Sequence, residues 1–362
     1  MTYTGKQILE KCRKSGATVL GFGISNVPLT DFLLREGIMV TVRDGKSREK
    51  VAETVDVSSY EERGVRFIFG DGYLDGIESC VLFRTPGLRP DADGIKEAIE
   101  NGAVLTSEME LFYALCPAHK IAITGSDGKT TTTTLTHLLL TEAFGDTDTK
   151  IGLGGNIGAP LLPRAYELDE NDFAVTELSS FQLMTMPTPP EVAVITNITP
   201  NHLNWHVDMD EYIASKLRVI GDGCRRAVLN YNNEETRRTA QLTKANVTFF
   251  SSAPIPDSVT DAVYLRGNNI VLRRGGEEHV ILDRRVIKLP GLHNVENYMT
   301  AIAAVADFIP VDRLSAVADR VARTFGGVPH RLEFVREFDG IRAYNGSIDS
   351  TPSRTAASSV SP

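Results

Sequence analysis

Short apolar runs recur along the chain, each closed by a glycine, an acidic residue or a polar turn, with stretches of helical spacing between several of them. Thr18-Val-Leu-Gly-Phe-Gly reads as a buried strand entering a glycine turn. The spacing predicts a helix over 27–36, with Val27, Phe32, Leu33 and Leu34 on its apolar side and Gly37 as its stop. Ile38-Met-Val-Thr-Val is the next strand and runs up to Asp44. Strand, helix, strand at this spacing predicts a parallel βαβ unit. Short strands follow at 65–69 and 79–83, and a short helix at 95–101.

A second series opens at Lys120. Ile121-Ala-Ile-Thr is a strand, a glycine turn follows, and 131–144 has the pattern of a helix. Further strands are predicted at 173–177, 192–197 and 227–230, and a helix at 211–220. Segments 263–274 and 279–287 read as a β-rich insert ahead of Leu289-Pro-Gly. Helices are predicted at 294–308 and 313–325 before a linker, Gly326-Gly-Val-Pro-His. The last residues, 355–362, are small and polar and read as a frayed end.

Length changes the picture first. A chain of 362 residues exceeds what one hydrophobic core supports, so two or three domains are expected. A net charge of -9 argues against broad binding to nucleic acid or anionic membrane, while leaving room for a local basic pocket. Cys12, Cys80, Cys116 and Cys224 are scattered without metal spacing and read as reduced thiols of a cytoplasmic protein. No signal peptide is expected at the N-terminus, and no run of about 18 apolar residues predicts a membrane span.

The strongest chemical signal is Thr124-Gly-Ser-Asp-Gly-Lys-Thr-Thr131, set between a strand and a helix. Gly125 and Gly128 let backbone N–H groups of Ser126, Asp127 and Thr131 turn toward phosphate oxygens, and the helix N-terminus adds a positive dipole end. Lys129 would reach the β- and γ-phosphates, and the Thr130 hydroxyl would meet Mg²⁺. Ile123 stands where the longer phosphate loop needs a glycine, so this is a shorter Gly-x-x-Gly-Lys-Thr form.

Weaker signals surround it. Gly21-Phe-Gly23-Ile24-Ser25-Asn26, with Asp44 about 20 residues on, resembles a dinucleotide fingerprint, but Asn26 replaces the third glycine. It fits a nicotinamide nucleotide, another nucleotide held by its phosphates, or a turn without ligand. Glu177 closes an apolar strand, where a carboxylate is a Mg²⁺ ligand or a solvated strand end. His202 and His206 are metal or phosphate ligands or packing groups, and Trp205 between them reads as packing. By itself Lys216 reads as a surface lysine. Asn294 and Asn297 open a helix, as adenine-reading amides or as caps. Arg331 is a phosphate ligand or a surface arginine.

These segments, in this order, resemble the Mur ligases of peptidoglycan synthesis. The phosphate loop is followed by Gly155-Asn156-Ile-Gly, Glu177-Leu-Ser-Ser-Phe-Gln-Leu, Pro200-Asn-His202-Leu-Asn-Trp-His, Ala214-Ser-Lys216, Gly291-Leu-His-Asn-Val-Glu-Asn297 and Pro329-His-Arg331-Leu-Glu. The Glu-Leu-Ser-Ser-Phe-Gln-Leu run and the opening Gly-Phe-Gly-Ile-Ser are closest to the branch that adds D-glutamate to UDP-N-acetylmuramoyl-L-alanine. The resemblance implies an α/β protein: an N-terminal Rossmann-like domain (1–106), a central P-loop ATPase-type α/β domain with a mostly parallel sheet (107–327), and the remnant of a third Rossmann-like α/β domain (328–362). It implies that Gly21, Gly23, Ile24, Ser25, Asn26, Asp44, Thr85, Pro86 and Gly87 hold the uridine nucleotide. Asn156 and Ser179 would lie by the sugar substrate. Asn294, Asn297 and Arg331 would contact ATP. Thr130 and Glu177 would hold one Mg²⁺, and His202 and Lys216, the latter as a carbamate, a second. The implied protein is a cytoplasmic monomer that needs no nucleophile of its own.

Two features depart from the family pattern. Gly346 stands where a nucleotide-contacting aspartate is expected, and only about 30 residues follow the linker, which reads as a third domain cut short. A nucleotide-binding fragment without ligase activity, or a related ligase of the folylpolyglutamate type, are the competing expectations, with a nicotinamide dehydrogenase behind them.

Overall fold

The computed structural model describes residues 3–329 and 333–347. The chain folds as two units, one formed by Met1–Ala118, Gly158–Glu170 and Ser180–Thr188, the other by His119–Ile157, Asn171–Ser179 and the chain from Pro189 onward.

In the first unit, strands β1 (Ala17–Leu20), β2 (Val40–Asp44), β3 (Arg66–Phe69), β4 (Val81–Arg84) and β5 (Val104–Thr106) make one parallel sheet in the order β3-β2-β1-β4-β5. β1 and β4 are buried on both faces, which is why their sequences are continuous apolar runs rather than alternating ones. Strand order reverses direction between β1 and β4. In open α/β sheets the crevice beyond the carboxyl ends at such a switch point is where ligands bind. The helix Gly5–Ser15 is absent from the apolar pattern because only Ile8, Leu9 and Cys12 of its side chains turn inward. A capping box, Thr4 with Gln7, starts it instead.

The chain returns twice to the first unit, and buried acidic side chains and an arginine hold it there. On the helix Glu108–Leu115, capped by Ser107, Glu108 accepts the Leu162 amide at 3.1 Å and Glu110 accepts the Thr185 hydroxyl at 2.6 Å. Burial pushes the Glu108 carboxyl up to about 7, with the Leu162 amide opposing. The folded protein therefore favours protonated Glu108. The stability this gives is fully present below the ordinary carboxylate value and is lost as pH rises through about 7. The loss amounts to about 3 kcal/mol at most. Thermal melts of Glu108→Gln between pH 5 and 8 are expected to fall less steeply with pH than those of the wild type; parallel slopes would remove Glu108 as the cause.

The second unit is built on β6 (His119–Thr124), β7 (Ile151–Gly155), β8 (Phe173–Glu177), β9 (Val192–Ile195), β10 (Arg226–Asn230), β11 (Asn246–Ser251), β12 (Ala262–Arg266), β13 (Asn269–Arg274) and β14 (Glu277–Asp283). Their order is β14-β13-β12-β11-β10-β9-β6-β8-β7, parallel from β7 through to β12 and antiparallel at the β12–β14 end. The mostly parallel sheet expected from the sequence is present. Its core lies beneath the helices Lys129–Phe144, Leu292–Val305 and Val311–Thr324, where Leu135, Leu139, Tyr298, Ile302, Leu314 and Val317 are fully or almost fully buried. β7 escapes a reading by hydrophobicity because Ile-Gly-Leu-Gly-Gly offers two apolar side chains. β9 ends at Ile195, two residues before the sequence pattern, because Thr196 and Asn197 turn away to hold the phosphate loop.

Beyond the linker, β15 (Glu333–Phe338) and β16 (Ile341–Asn345) form an antiparallel hairpin. Arg331 and the tail from residue 348 lie outside the described residues. Among the described residues no helix is long and apolar enough to cross a membrane.

Candidate active site

The second unit's site starts from the turn between β6 and the helix Lys129–Phe144. Gly125 has φ 142°, and a Cβ placed there would lie 1.9 Å from the Thr196 hydroxyl oxygen, so this position admits no side chain. The loop is fastened to the end of β9 at several points. Ser126 N–H donates to the Asn197 carbonyl at 2.9 Å, and Asp127 N–H to Asn197 Oδ1 at 2.9 Å. The Thr196 hydroxyl donates to the Asp127 carbonyl at 2.6 Å, and the Ser126 hydroxyl to the Thr199 carbonyl at 2.9 Å. The N–H groups of Ser126 and Asp127, expected to face phosphate, are thus spent on Asn197, and the loop they pin holds the N–H groups that open the helix in place before any anion arrives. Lys129 curls over the loop, donating to the carbonyls of Gly125 and Ser126, each at 3.0 Å.

Thr130, in the first turn of the helix Lys129–Phe144, meets Glu177 at the end of β8, its hydroxyl donating to Glu177 Oε2 at 2.8 Å. The other carboxylate oxygen accepts from Asn156 Nδ2 at 2.9 Å. Glu177 is 1% exposed, so the reading as a solvated strand end is overturned. A carboxylate and a hydroxyl side by side are hard oxygen donors of the kind Mg²⁺ takes, and these residues fit such an ion. Among the described residues no group of three or more His, Cys, Asp or Glu is placed to hold a metal.

Lys216 corrects its reading as a surface lysine: it is 1% exposed. On the helix Met209–Leu217 it shares the inward face with Tyr212 and Ser215, and its Nζ lies 2.8 Å from the Gly125 carbonyl and 4.6 Å from the Tyr212 ring centre. Burial drives its pKa well below that of an ordinary lysine. The charge of Lys129 adds to this, while Asp127 and Glu177 oppose it. A shift in this direction favours the neutral, nucleophilic form of the amine. Tyr212 itself is buried, with its hydroxyl 2.9 Å from the Ser126 hydroxyl.

Asn297 is drawn to the phosphate loop: its Oδ1 accepts the Thr132 hydroxyl at 3.1 Å and its amide donates to Asn294 Oδ1 at 3.3 Å. Asn294 donates to the Pro290 carbonyl at 2.7 Å, so it also braces the start of its helix. His202 is exposed, with φ 55°. A left-handed histidine costs about 1 kcal/mol and persists where the surroundings impose it. It follows Thr199, whose amide and carbonyl both bond to Ser126. His206, by contrast, is buried against Trp205, Tyr212 and Glu211, and its packing reading stands. Ser179 is half-buried just past Glu177. Thr196, Asn197 and Tyr212 carry no motif of their own. The polar pair closing the apolar run Val192-Ala-Val-Ile, and the spacing of Tyr212 with Lys216, are the signals that mark them.

In the first unit, the turn after β1 is held from within. Gly21, at φ 83°, packs against Thr85: a Cβ there would lie 2.8 Å from the Thr85 methyl. Asn26 Nδ2 donates to the carbonyls of Leu20 and Gly21 at 3.2 and 2.7 Å, which is the use of an amide in place of the third glycine. Asp44 accepts the amides of Phe22 and Lys46 at 2.7 and 2.9 Å, so its carboxylate shapes the loop. Gly21, Asn26, Asp44 and Thr85 are thus brought together. Gly23 and Ile24 project from the turn, Ile24 being 89% exposed, and Ser25 precedes the helix Asn26–Arg35 without capping it by its side chain. Pro86 is half-buried and Gly87 exposed.

Comparison with known proteins agrees with this architecture. The Mur ligase middle domain pattern matches residues 123–305. The UDP-N-acetylmuramoylalanine–D-glutamate ligase of Ruminiclostridium cellulolyticum is 41% identical over 357 residues, covering 97% of this chain and 74% of the relative. That of Acetivibrio thermocellus is 43% identical over 351 residues, covering 96% and 72%. Among solved structures, the murein peptide ligase of Psychrobacter arcticus aligns with a TM-score of 0.52 at 17% identity, covering 91% of this chain and 72% of its own. The UDP-N-acetylmuramate:L-alanyl-gamma-D-glutamyl-meso-diaminopimelate ligase of Neisseria meningitides aligns with 0.55 at 15%, covering 86% and 98%. Those two likenesses are of fold. With relatives 41% and 43% identical along nearly its whole length, the chain belongs to the Mur ligase family, in its UDP-N-acetylmuramoylalanine–D-glutamate ligase branch.

Proposed function

We propose that this chain is an ATP-dependent ligase that joins D-glutamate to UDP-N-acetylmuramoyl-L-alanine in peptidoglycan precursor synthesis. The observation that carries it is the braced phosphate loop, with Thr130, Glu177, Asn156, Lys216 and Asn297 bonded into it or around it. The substrate carboxylate oxygen attacks the γ-phosphorus of ATP and ADP leaves, giving an acyl phosphate. The D-glutamate nitrogen then attacks the acyl carbon, phosphate leaves and the nitrogen gives up a proton. No step needs a protein nucleophile.

The residues divide this work. Gly125, Ser126, Asp127 and Gly128 shape the loop, and the backbone N–H groups that open its helix, up to Thr131, hold the phosphates with the Lys129 ammonium and neutralise charge developing on the transferred group. Asn294, Asn297 and Arg331 contact the nucleotide. Thr130 and Glu177 hold Mg²⁺, and His202 with Lys216 a second ion. Mg²⁺ supplies charge neutralisation at the phosphates. Lys216 serves as a carbamate, formed when its neutral amine adds to carbon dioxide and releases a proton; its burial and its depressed pKa favour this. Gly21, Gly23, Ile24, Ser25, Asn26, Asp44, Thr85, Pro86 and Gly87 form the uridine-nucleotide site, with Asn156 and Ser179 by the sugar substrate. The division into domains at 1–106, 107–327 and 328–362, a monomeric state and a cytoplasmic setting belong to the same reading. The four cysteines, which form no disulfide among the described residues, suit a reducing compartment.

The test is phosphate release from ATP with Mg²⁺, bicarbonate and UDP-N-acetylmuramoyl-L-alanine, with D-glutamate, with L-glutamate and with neither. Release that requires D-glutamate is expected. Release served equally by L-glutamate, or seen only with a different acceptor such as a folate, would overturn the assignment.

A further inference from the structure

Arg84 closes β4 and is 1% exposed, one of the largest side chains fully buried in the protein. Burying a guanidinium costs several kcal/mol unless its donors are used. One side of Arg84 is spent on a single turn: Nη1 donates to the carbonyls of Thr85, Pro86 and Leu88 at 3.3, 2.8 and 2.7 Å. The other side reaches the returning segment Ser180–Thr188, Nη2 donating to the Phe181 carbonyl at 2.8 Å and the Thr185 hydroxyl at 3.2 Å. The Thr185 hydroxyl in turn donates to Glu110, an acidic side chain whose pKa burial raises.

This arrangement exceeds what the sheet requires. β4 already pairs with β1 and β5 through its backbone, and an apolar side chain would fill the same interior. The arginine draws three carbonyls of the turn 85–88 inward and thereby sets which face the turn presents outward. That outward face carries Gly87, where a Cβ would meet nothing within 4 Å and φ is not positive. Neither packing nor backbone conformation calls for glycine there.

We propose that Arg84 is a positioning residue for the turn Thr85-Pro86-Gly87, shaping from beneath the surface that receives the uridine nucleotide and tying it to the segment Ser180–Thr188. The inference rests on the assignment of that turn to the nucleotide. Arg84 touches no substrate; it acts through the carbonyls it holds.

The experiment is calorimetric titration with UDP-N-acetylmuramoyl-L-alanine and, separately, with a non-hydrolysable ATP analogue, well below the melting temperature of every variant. Arg84→Met is expected to weaken the uridine ligand at least tenfold and leave the ATP analogue within twofold. Arg84→Lys, which keeps the charge but reaches fewer carbonyls, is expected to fall between. A structural role alone would lower the melting temperature and leave both dissociation constants in place, and that result overturns the proposal. Gly87→Val separates the two assignments. If it weakens the uridine ligand while both Arg84 variants do not, the positioning role fails alone. If none of the three does, the turn is not the nucleotide site and both fail. Should Arg84→Met not fold, Glu110→Gln alters the acceptor that holds Thr185 against Arg84 without removing the arginine. It is expected to weaken the uridine ligand about threefold, and unchanged binding in it and in Arg84→Lys overturns the proposal.

Discussion

Lys216→Met is expected to abolish ATP-dependent ligation while leaving the protein folded. Methionine keeps the unbranched stem and nearly the volume, so the interior stays filled. The loss is one donor to the Gly125 carbonyl, which costs about 1–3 kcal/mol. The gain is relief from holding an amine in a site that disfavours its charged form. These oppose each other, and the melting temperature should move by less than about 5 °C. Activity has no such compensation. If the lysine is the anionic oxygen ligand proposed here, its removal takes away several kcal/mol of charge stabilisation, a loss of at least about 10³-fold in turnover. A variant that retains a tenth of wild-type phosphate release would exclude any ligand role for Lys216. Loss of activity together with collapse of the melt would make it a structural residue.

Gly125→Ala is expected to damage both fold and function. The added carbon would sit 1.9 Å from the Thr196 oxygen and 3.1 Å from backbone atoms of Asn197, in a backbone conformation that side chains rarely adopt. Strain and overpacking together cost about 2–6 kcal/mol. The loop cannot yield without breaking its bonds to β9, so its N–H groups lose their aim. One misdirected donor at a developing anion costs about 10²–10³-fold, and here several move together. The expected outcome is a melting temperature lower by about 5 °C or more and no measurable binding of an ATP analogue. Wild-type affinity for the analogue would mean that phosphates are bound elsewhere.

The two series of strands and helices were legible because parallel strands buried on both faces are written as apolar runs, as in Ile121-Ala-Ile and Val192-Ala-Val-Ile. The phosphate loop was legible because its glycines, lysine and threonine are adjacent in sequence. Lys216 was not, from its own surroundings: a buried lysine carries the same letter as an exposed one, and only the face shared with Tyr212 and Ser215 distinguishes it. The supports at Thr196, Asn197 and Arg84 were hidden for a different reason. Each acts on backbone carbonyls and amides that are far away in sequence, and backbone groups leave no mark on composition. The two returns of the chain, 158–170 and 180–188, were invisible to hydrophobic periodicity because their attachment runs through buried carboxylates and a guanidinium.

Those returns set an order of events during synthesis. The ribosome releases β1 to β5 and the helix Glu108–Leu115 well before Leu162, Phe181 and Thr185 exist. Until residue 188 has emerged, Glu108 lacks the Leu162 amide, Glu110 the Thr185 hydroxyl and Arg84 the Phe181 carbonyl, so the nascent first unit must keep that flank open to water. Domains that fold as they emerge do so from one continuous stretch. This one waits for two segments that lie in sequence between its neighbour's strands, and a stop or cleavage between residues 118 and 158 would release a chain whose N-terminal part is complete in its strands but not in its interior.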